Sequence, residues 1–155
     1  MTGASSKLTL WRSIPNNDGI KTMTTISPGG HIGILGDGQL GRMMAIAAAE
    51  MGYFVHVFGP EEDSPASQVS HRSTVASYSD RDALTAFAKS VDVVTLEFEN
   101  IPTDTVEFLS EVVPVRPGAK MLEITQDRLF EKSFINNIGI GTAIFVNVES
   151  LDELI

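Results

Sequence analysis

The sequence predicts an α/β fold built on a doubly wound parallel sheet, and three observations carry that prediction. A glycine-rich turn, G-D-G-Q-L-G at Gly36–Gly41, joins an apolar run to a helical pattern. Short apolar runs then alternate with helical patterns along the rest of the chain. One of those runs, VDVVTLEF (91–98), is continuous and apolar, as strands covered on both faces are.

Taken in order, the first 30 residues are rich in Ser, Thr, Asn, Gly and Pro and lack sustained periodicity, so 1–30 reads as a flexible leader. No signal-peptide core or Arg-rich transit pattern is evident there, and Met23 is a candidate natural start. Ile32–Leu35 reads as the first strand. Leu40, Met43, Met44, Ala47, Ala48 and Met51 then form one stripe of an amphipathic helix, with the methionines as core fill and Gly52 as the stop. Phe54–Phe58 is the second strand, closed by the breaker GPEEDSP. A weak third strand covers about Ser73–Ala76, and DRDALTAFAKS gives a second helix. After VDVVTLEF comes the helix PTDTVEFLSEV, with Pro102 suited to its first turn. VPVRP reads as a short strand, and Ala119–Ile138 as mostly helical, with Phe130, Phe134 and Ile138 repeating every four residues. TAIFVNV starts one more strand and ESLDELI a helix, so a continuation beyond Ile155 is expected.

Composition narrows the function. Hydrophobic residues make up 43% and charged residues 20% of the 155, which argues against wholesale disorder. There is no cysteine, which removes disulfides and thiolate metal sites and fits a reducing compartment. A net charge of −9 argues against broad binding to nucleic acid or anionic membranes, since counterion release needs a basic patch. No apolar run approaches the roughly 18 residues that span a bilayer.

Gly36, Gly38 and Gly41 sit where the first strand turns into the first helix. Without Cβ atoms the backbone can approach a phosphate closely, and the helix start attracts the anion locally despite the overall charge. The lesser alternative is that those glycines serve only a tight turn. The same G-x-G-x-x-G pattern suits a dinucleotide, but such a site asks for an acid at the end of the second strand. Phe58-Gly59-Pro60 stands there, and Glu61 and Glu62 follow the break as a solvated turn. An NAD(P)-dependent oxidoreductase is weakened by this and stays open. Glu97 and Glu99 end the strongest strand two residues apart, on one face if the strand runs that far, where ligands of parallel sheets bind. They could hold hydroxyls or an amine, or simply face solvent. Arg128 and Lys132, with Asp127 and Glu131 interleaved, read as a solvated ion-paired helix face. His31, His56 and His71 share no metal spacing and read as packed or surface residues.

Taken together, ILGDGQLGRMMAIAA, TLEFENIP, VPVRPGAKMLEITQDRLFEKSFINNIGIGTA and the SPASQVS turn resemble one family. They are similar to the N-terminal region of the 5-(carboxyamino)imidazole ribonucleotide synthases, purine-biosynthesis ligases of the ATP-grasp superfamily, also described as phosphoribosylaminoimidazole carboxylase ATPase subunits. The resemblance runs from about Gly30 to Phe145, and GQLGRM beside EFEN and QDRLFEK is far more specific than the glycine pattern alone. It implies a Rossmann-like pre-ATP-grasp domain over 31–124, followed over 125–155 by a linker helix and the start of a truncated ATP-grasp domain.

The resemblance also implies roles. Gly38, Gln39 and Leu40 would offer backbone donors to the phosphate of 5-aminoimidazole ribonucleotide. Glu97 would stand near its ribose with Glu99 beside it, and Arg128 would reach ATP. The family uses ATP, magnesium and bicarbonate to carboxylate the ribonucleotide's amine, in the cytoplasm, with a homodimer in full-length forms. The lysine, glycine-rich lid and metal-binding acids of the ATP site are not in this sequence, so no catalytic or metal-binding residue is assigned and the chain alone is expected to be inactive. A non-catalytic phosphate-binding module or decayed remnant is the alternative. Three positions depart from the family pattern. Asp37 stands where a small residue or Asn is common, Gly59 replaces an acid often found at the second strand's end, and Gly141 replaces Pro.

Overall fold

The computed structural model describes residues 25–154. The Met23 start and most of the expected leader lie outside the described residues. The end of that segment is tied to the domain. The Gly29 N–H donates to the Gly52 carbonyl at 2.7 Å, and the Tyr53 hydroxyl donates to the Ile26 carbonyl at 3.0 Å.

Four parallel strands form the sheet: β1 (His31–Leu35), β2 (Phe54–Gly59), β3 (Arg72–Val75) and β4 (Val93–Leu96), in the order β3-β2-β1-β4. Helices α1 (Gln39–Glu50), between β1 and β2, α2 (Arg81–Ala88), between β3 and β4, and α3 (Thr103–Ser110), after β4, cover both faces, as a doubly wound sheet requires. Alternation along the strands splits the core in two. Ile34, Val55 and Val57 pack with Ala45 and Ala48 of α1, while Leu35, Phe58 and Val94 pack with Leu84, Phe87, Val106 and Leu109 of α2 and α3. Asp80 caps α2, accepting from the N–H groups of Asp82 and Ala83 at 3.1 and 2.9 Å, a contact worth about 1 kcal/mol.

The expected stripe of α1 holds only in part, at Met44 and Ala48. Its inward face is Gly41, Ala45 and Ala48, whereas Leu40, Met43 and Met51 are 55%, 59% and 62% exposed. Small residues win the inner face because the helix lies close. A Cβ on Gly41 would already stand 3.0 Å from the Gly36 carbonyl and 3.2 Å from the Ala66 methyl. Met44 does pack against this core as expected, whereas Met43 and Met51 are not core fill. Gly52, at φ +83°, does end the helix as expected.

Three further expectations change in the second half of the chain. VPVRP makes a single parallel bridge, Val94 to Val115, because Pro114 and Pro117 lack the N–H groups a longer ladder needs. The helix expected over 119–138 is two, α4 (Ala119–Thr125) and α5 (Arg128–Asn137), divided where the Asp127 carboxylate accepts from Leu129 and Phe130 N–H at 2.8 and 3.0 Å. TAIFVNV is irregular, without a paired strand among the described residues, and the short helix α6 (Leu151–Leu154) follows it.

Candidate functional site

The strand order fixes where a ligand can sit. The crossover from β1 runs one way to β2 and the later strand β4 adds on β1's other edge, so the carboxyl ends of β1 and β4 form the switch point. The glycine turn leaves β1 there, with Gly36 at φ +107° and its N–H donating to the Phe58 carbonyl at 2.9 Å. Glu97 leaves β4 there, its N–H donating to the Leu35 carbonyl at 2.8 Å.

The two segments touch through the Glu97 side chain. The Gly38 N–H donates to Glu97 Oε2 at 3.2 Å. A Cβ on Gly36 would stand 2.3 Å from Oε2, and one on Gly38 2.6 Å from Oε1; one on Gly41 would lie 3.7 Å from Cδ. All three glycines of the turn thus face one protein carboxylate. Gln39 and Leu40 begin α1 and are exposed, and since the N-cap Gly38 supplies no side-chain cap, the positive helix end stands beside Glu97.

The expected common face for Glu97 and Glu99 is not formed, because β4 stops at Leu96 and the chain turns. The Glu99 side chain is exposed, and its carbonyl, with that of Ile101, accepts from Gln126 Nε2 at 2.8 Å each. A cavity of about 490 Å³ nonetheless gathers Glu97, Glu99, Gln126 and Arg128 along one wall of α4 and α5. Arg128 opens α5 with its side chain 85% exposed and paired to Glu131. Lys132 lies over the Phe145 ring at 5.3 Å. The structure therefore brings the two glutamates and the arginine to one cavity and joins the glycine turn to it through Glu97.

A family model for the ribonucleotide synthetase preATP-grasp domain matches residues 30–126. The chain belongs to this preATP-grasp family. It is 46% identical over 132 residues to the N5-carboxyaminoimidazole ribonucleotide synthase of Brucella melitensis, covering 85% of this chain and 36% of that protein. The N5-carboxyaminoimidazole synthetase of Staphylococcus aureus, solved with ADP, superposes with a TM-score of 0.75 at 41% identity, over 82% of this chain and 34% of that one. The Aspergillus clavatus N5-carboxyaminoimidazole synthase, solved with ADP and 5-aminoimidazole ribonucleotide, gives 0.68 at 31% identity, over 76% and 31%. The chain spans about a third of the length of these relatives.

Two groups of this preATP-grasp domain escaped the sequence reading. Tyr78, in the loop after β3, packs its ring against Phe58 at 6.0 Å. Burial first, then the Asp37, Glu97 and Glu61 carboxylates, hold its hydroxyl well above the ordinary tyrosine range, so it remains a proton donor. No sequence signal marks a loop tyrosine as a neighbour of residues 37 and 97; only the strand order does. Gln126 lies inside the QDR motif, yet nothing in the pattern reveals that its amide ties α4 to the turn after β4.

The three histidines lie apart from this site. His31 stacks on Phe54 at 5.0 Å, and His71 meets Phe54 edge-on at 4.9 Å while its Nδ1 accepts from the Val55 N–H at 3.2 Å. His56 is buried within β2 between Ser90 and Thr74. Among the described residues no group of three or more His, Asp or Glu stands together where it could hold a metal ion.

Proposed function

We propose that this preATP-grasp domain is the ribonucleotide-binding part of an N5-carboxyaminoimidazole ribonucleotide synthase, acting in de novo purine synthesis in the cytoplasm. One observation carries the reading: an uncapped helix start and a fixed carboxylate meet at the sheet's switch point. The Aspergillus clavatus relative solved with 5-aminoimidazole ribonucleotide supplies the ligand class.

The phosphate sits against the first turn of α1. There the Gln39 and Leu40 N–H groups donate to it, the Gly38 N–H being already shared with Glu97. Glu97, held by that bond, turns its remaining acceptor capacity to the ribose hydroxyls, and Glu99 lines the cavity beyond it. Arg128 faces ATP from the start of α5. In the full reaction bicarbonate oxygen takes the γ-phosphoryl group of ATP, releasing ADP. The carboxyphosphate so formed, or carbon dioxide released from it, bonds to the substrate amine, which loses a proton as phosphate leaves. The described residues do not fit a magnesium site. The 155 residues bind ribonucleotide and do not turn over ATP on their own, and the homodimer belongs to the full-length form.

Replacing Gly38 tests this. A Cβ at position 38 would strike the end of the Glu97 side chain at 2.6 Å, which swings aside without disturbing the core. Calorimetry is expected to show saturable binding of 5-aminoimidazole ribonucleotide to the unaltered chain and at least tenfold weaker binding to Gly38→Val, with unchanged circular dichroism. Equal affinities remove the loop from the site, and failure of both leaves the non-catalytic or decayed remnant as the better account.

A further inference from the structure

Asp37 and Gly59 occupy one space. A Cβ built on Gly59 would lie 2.2 Å from Asp37 Cγ and 2.3 Å from Oδ2, so no other residue at 59 tolerates the Asp37 side chain where it stands. Gly59 is the last residue of β2, the position from which an acid reads a ribose hydroxyl in dinucleotide-binding sheets of related topology. The carboxylate is present at that place, but it arrives from the neighbouring turn.

Its mounting is firm. The Glu61 N–H donates to Asp37 Oδ2 at 3.1 Å, and the Ala66 N–H donates to the Asp37 carbonyl at 3.0 Å. The side chain is half-buried, with no partner for Oδ1 among the described hydrogen bonds. Glu97 stands over the other edge of β1, so the two carboxylates bracket the start of α1 from the β2 and β4 sides. Tyr78 lies within the field of both and stays a phenol.

We propose that Asp37 is a specificity-determining residue of the ribonucleotide site, accepting the ribose 2′-hydroxyl in the space that the end of β2 leaves open at Gly59. The assignment rests on the reading of the α1 start as the phosphate seat. A sugar 5′-phosphate anchored there places its ribose between the two carboxylates, with Glu97 on one side and Asp37 on the side of the 2′-hydroxyl. Asp37 accepts a hydroxyl hydrogen on its free oxygen, while a 2′-deoxy sugar leaves that carboxylate without a partner.

Calorimetry on the full chain with 5-aminoimidazole ribonucleotide and its 2′-deoxy counterpart tests the assignment. The unaltered chain is expected to prefer the ribonucleotide about tenfold. Asp37→Asn, which still accepts from the Glu61 N–H, is expected to lose that preference through weaker ribonucleotide binding while its deoxy affinity stays the same. The exchange variant Asp37→Gly with Gly59→Asp returns the acid to the strand end and is expected to regain the preference. Asp37→Ser serves as a second removal of the charge, and thermal melts confirm that each variant is folded. An unaltered preference in Asp37→Asn and Asp37→Ser overturns the role of Asp37, as does ribonucleotide binding without any preference in the unaltered chain; both leave the phosphate seat standing. Absence of binding to the unaltered chain overturns the seat itself and this assignment with it.

Discussion

His56 is 4% exposed in the middle of β2, and its two ring nitrogens meet Ser90 Oγ at 2.7 Å and Thr74 Oγ1 at 2.8 Å. The Ser90 hydroxyl spends its hydrogen on the Phe87 carbonyl at 2.7 Å, so it accepts from His56 Nδ1–H. Nε2 is then the acceptor for the Thr74 hydroxyl, and the neutral ring is satisfied on both sides. Burial, helped by Arg72 and His31, lowers its pKa from 6.5 to about 4. The unfolded chain therefore takes up this proton first. The stability tied to the neutral ring is whole above pH 6.5 and declines as pH falls from 6.5 toward about 4. The loss is on the order of 3 kcal/mol across that window. Urea unfolding at pH 7.5, 5.5 and 4.5 checks this against His56→Asn, whose slope with pH is expected to be shallower; parallel slopes would contradict the assignment. The sequence shows that His56 lies in an apolar strand, but its two hydroxyl partners come from 18 and 34 residues away.

At the level of elements, existence and type were legible wherever a local pattern had a local cause. The glycine turn, the closing Gly52 and the strand alternation all depend on neighbours in sequence. The face of α1 does not. Apolar periodicity alone favours the Leu40–Met51 stripe, yet Leu40, Met43 and Met51 stay exposed while Ala45, outside the stripe, is buried beside Ala48, where Gly41 lets the helix close on the turn after β1 and on Ala66. Met43→Lys is therefore expected to change the unfolding free energy by less than about 0.5 kcal/mol. Ala45→Leu is expected to cost about 1–3 kcal/mol through overpacking. The reverse order in urea denaturation would restore the expected stripe. The break between α4 and α5 has a different cause. Asp127 offers its carboxylate to two N–H groups and so starts a second helix, on which the apolar repeat of Phe130, Phe134 and Ile138 stays exposed. TAIFVNV carries strand-forming residues without a strand to pair with among the described residues.

For the whole molecule, the parallel order follows from alternation, but the position of the site follows from the switch in strand order. That switch places Glu97 against the glycine turn, 59 residues away in sequence from Gly38. Spacing could mark both as candidates without revealing that they touch, or that the space the glycines leave is taken by a carboxylate. On the proposed function, the start of α1 beside Glu97 seats the phosphate of a ribonucleotide. Backbone amide chemical shifts of the ¹⁵N-labelled chain, titrated with 5-aminoimidazole ribonucleotide and in parallel with NAD, test it most directly. Saturable shifts are expected at Gly38, Gln39 and Leu40 with the ribonucleotide and none with NAD; shifts confined to other residues, or produced at these amides by NAD alone, would contradict the phosphate seat.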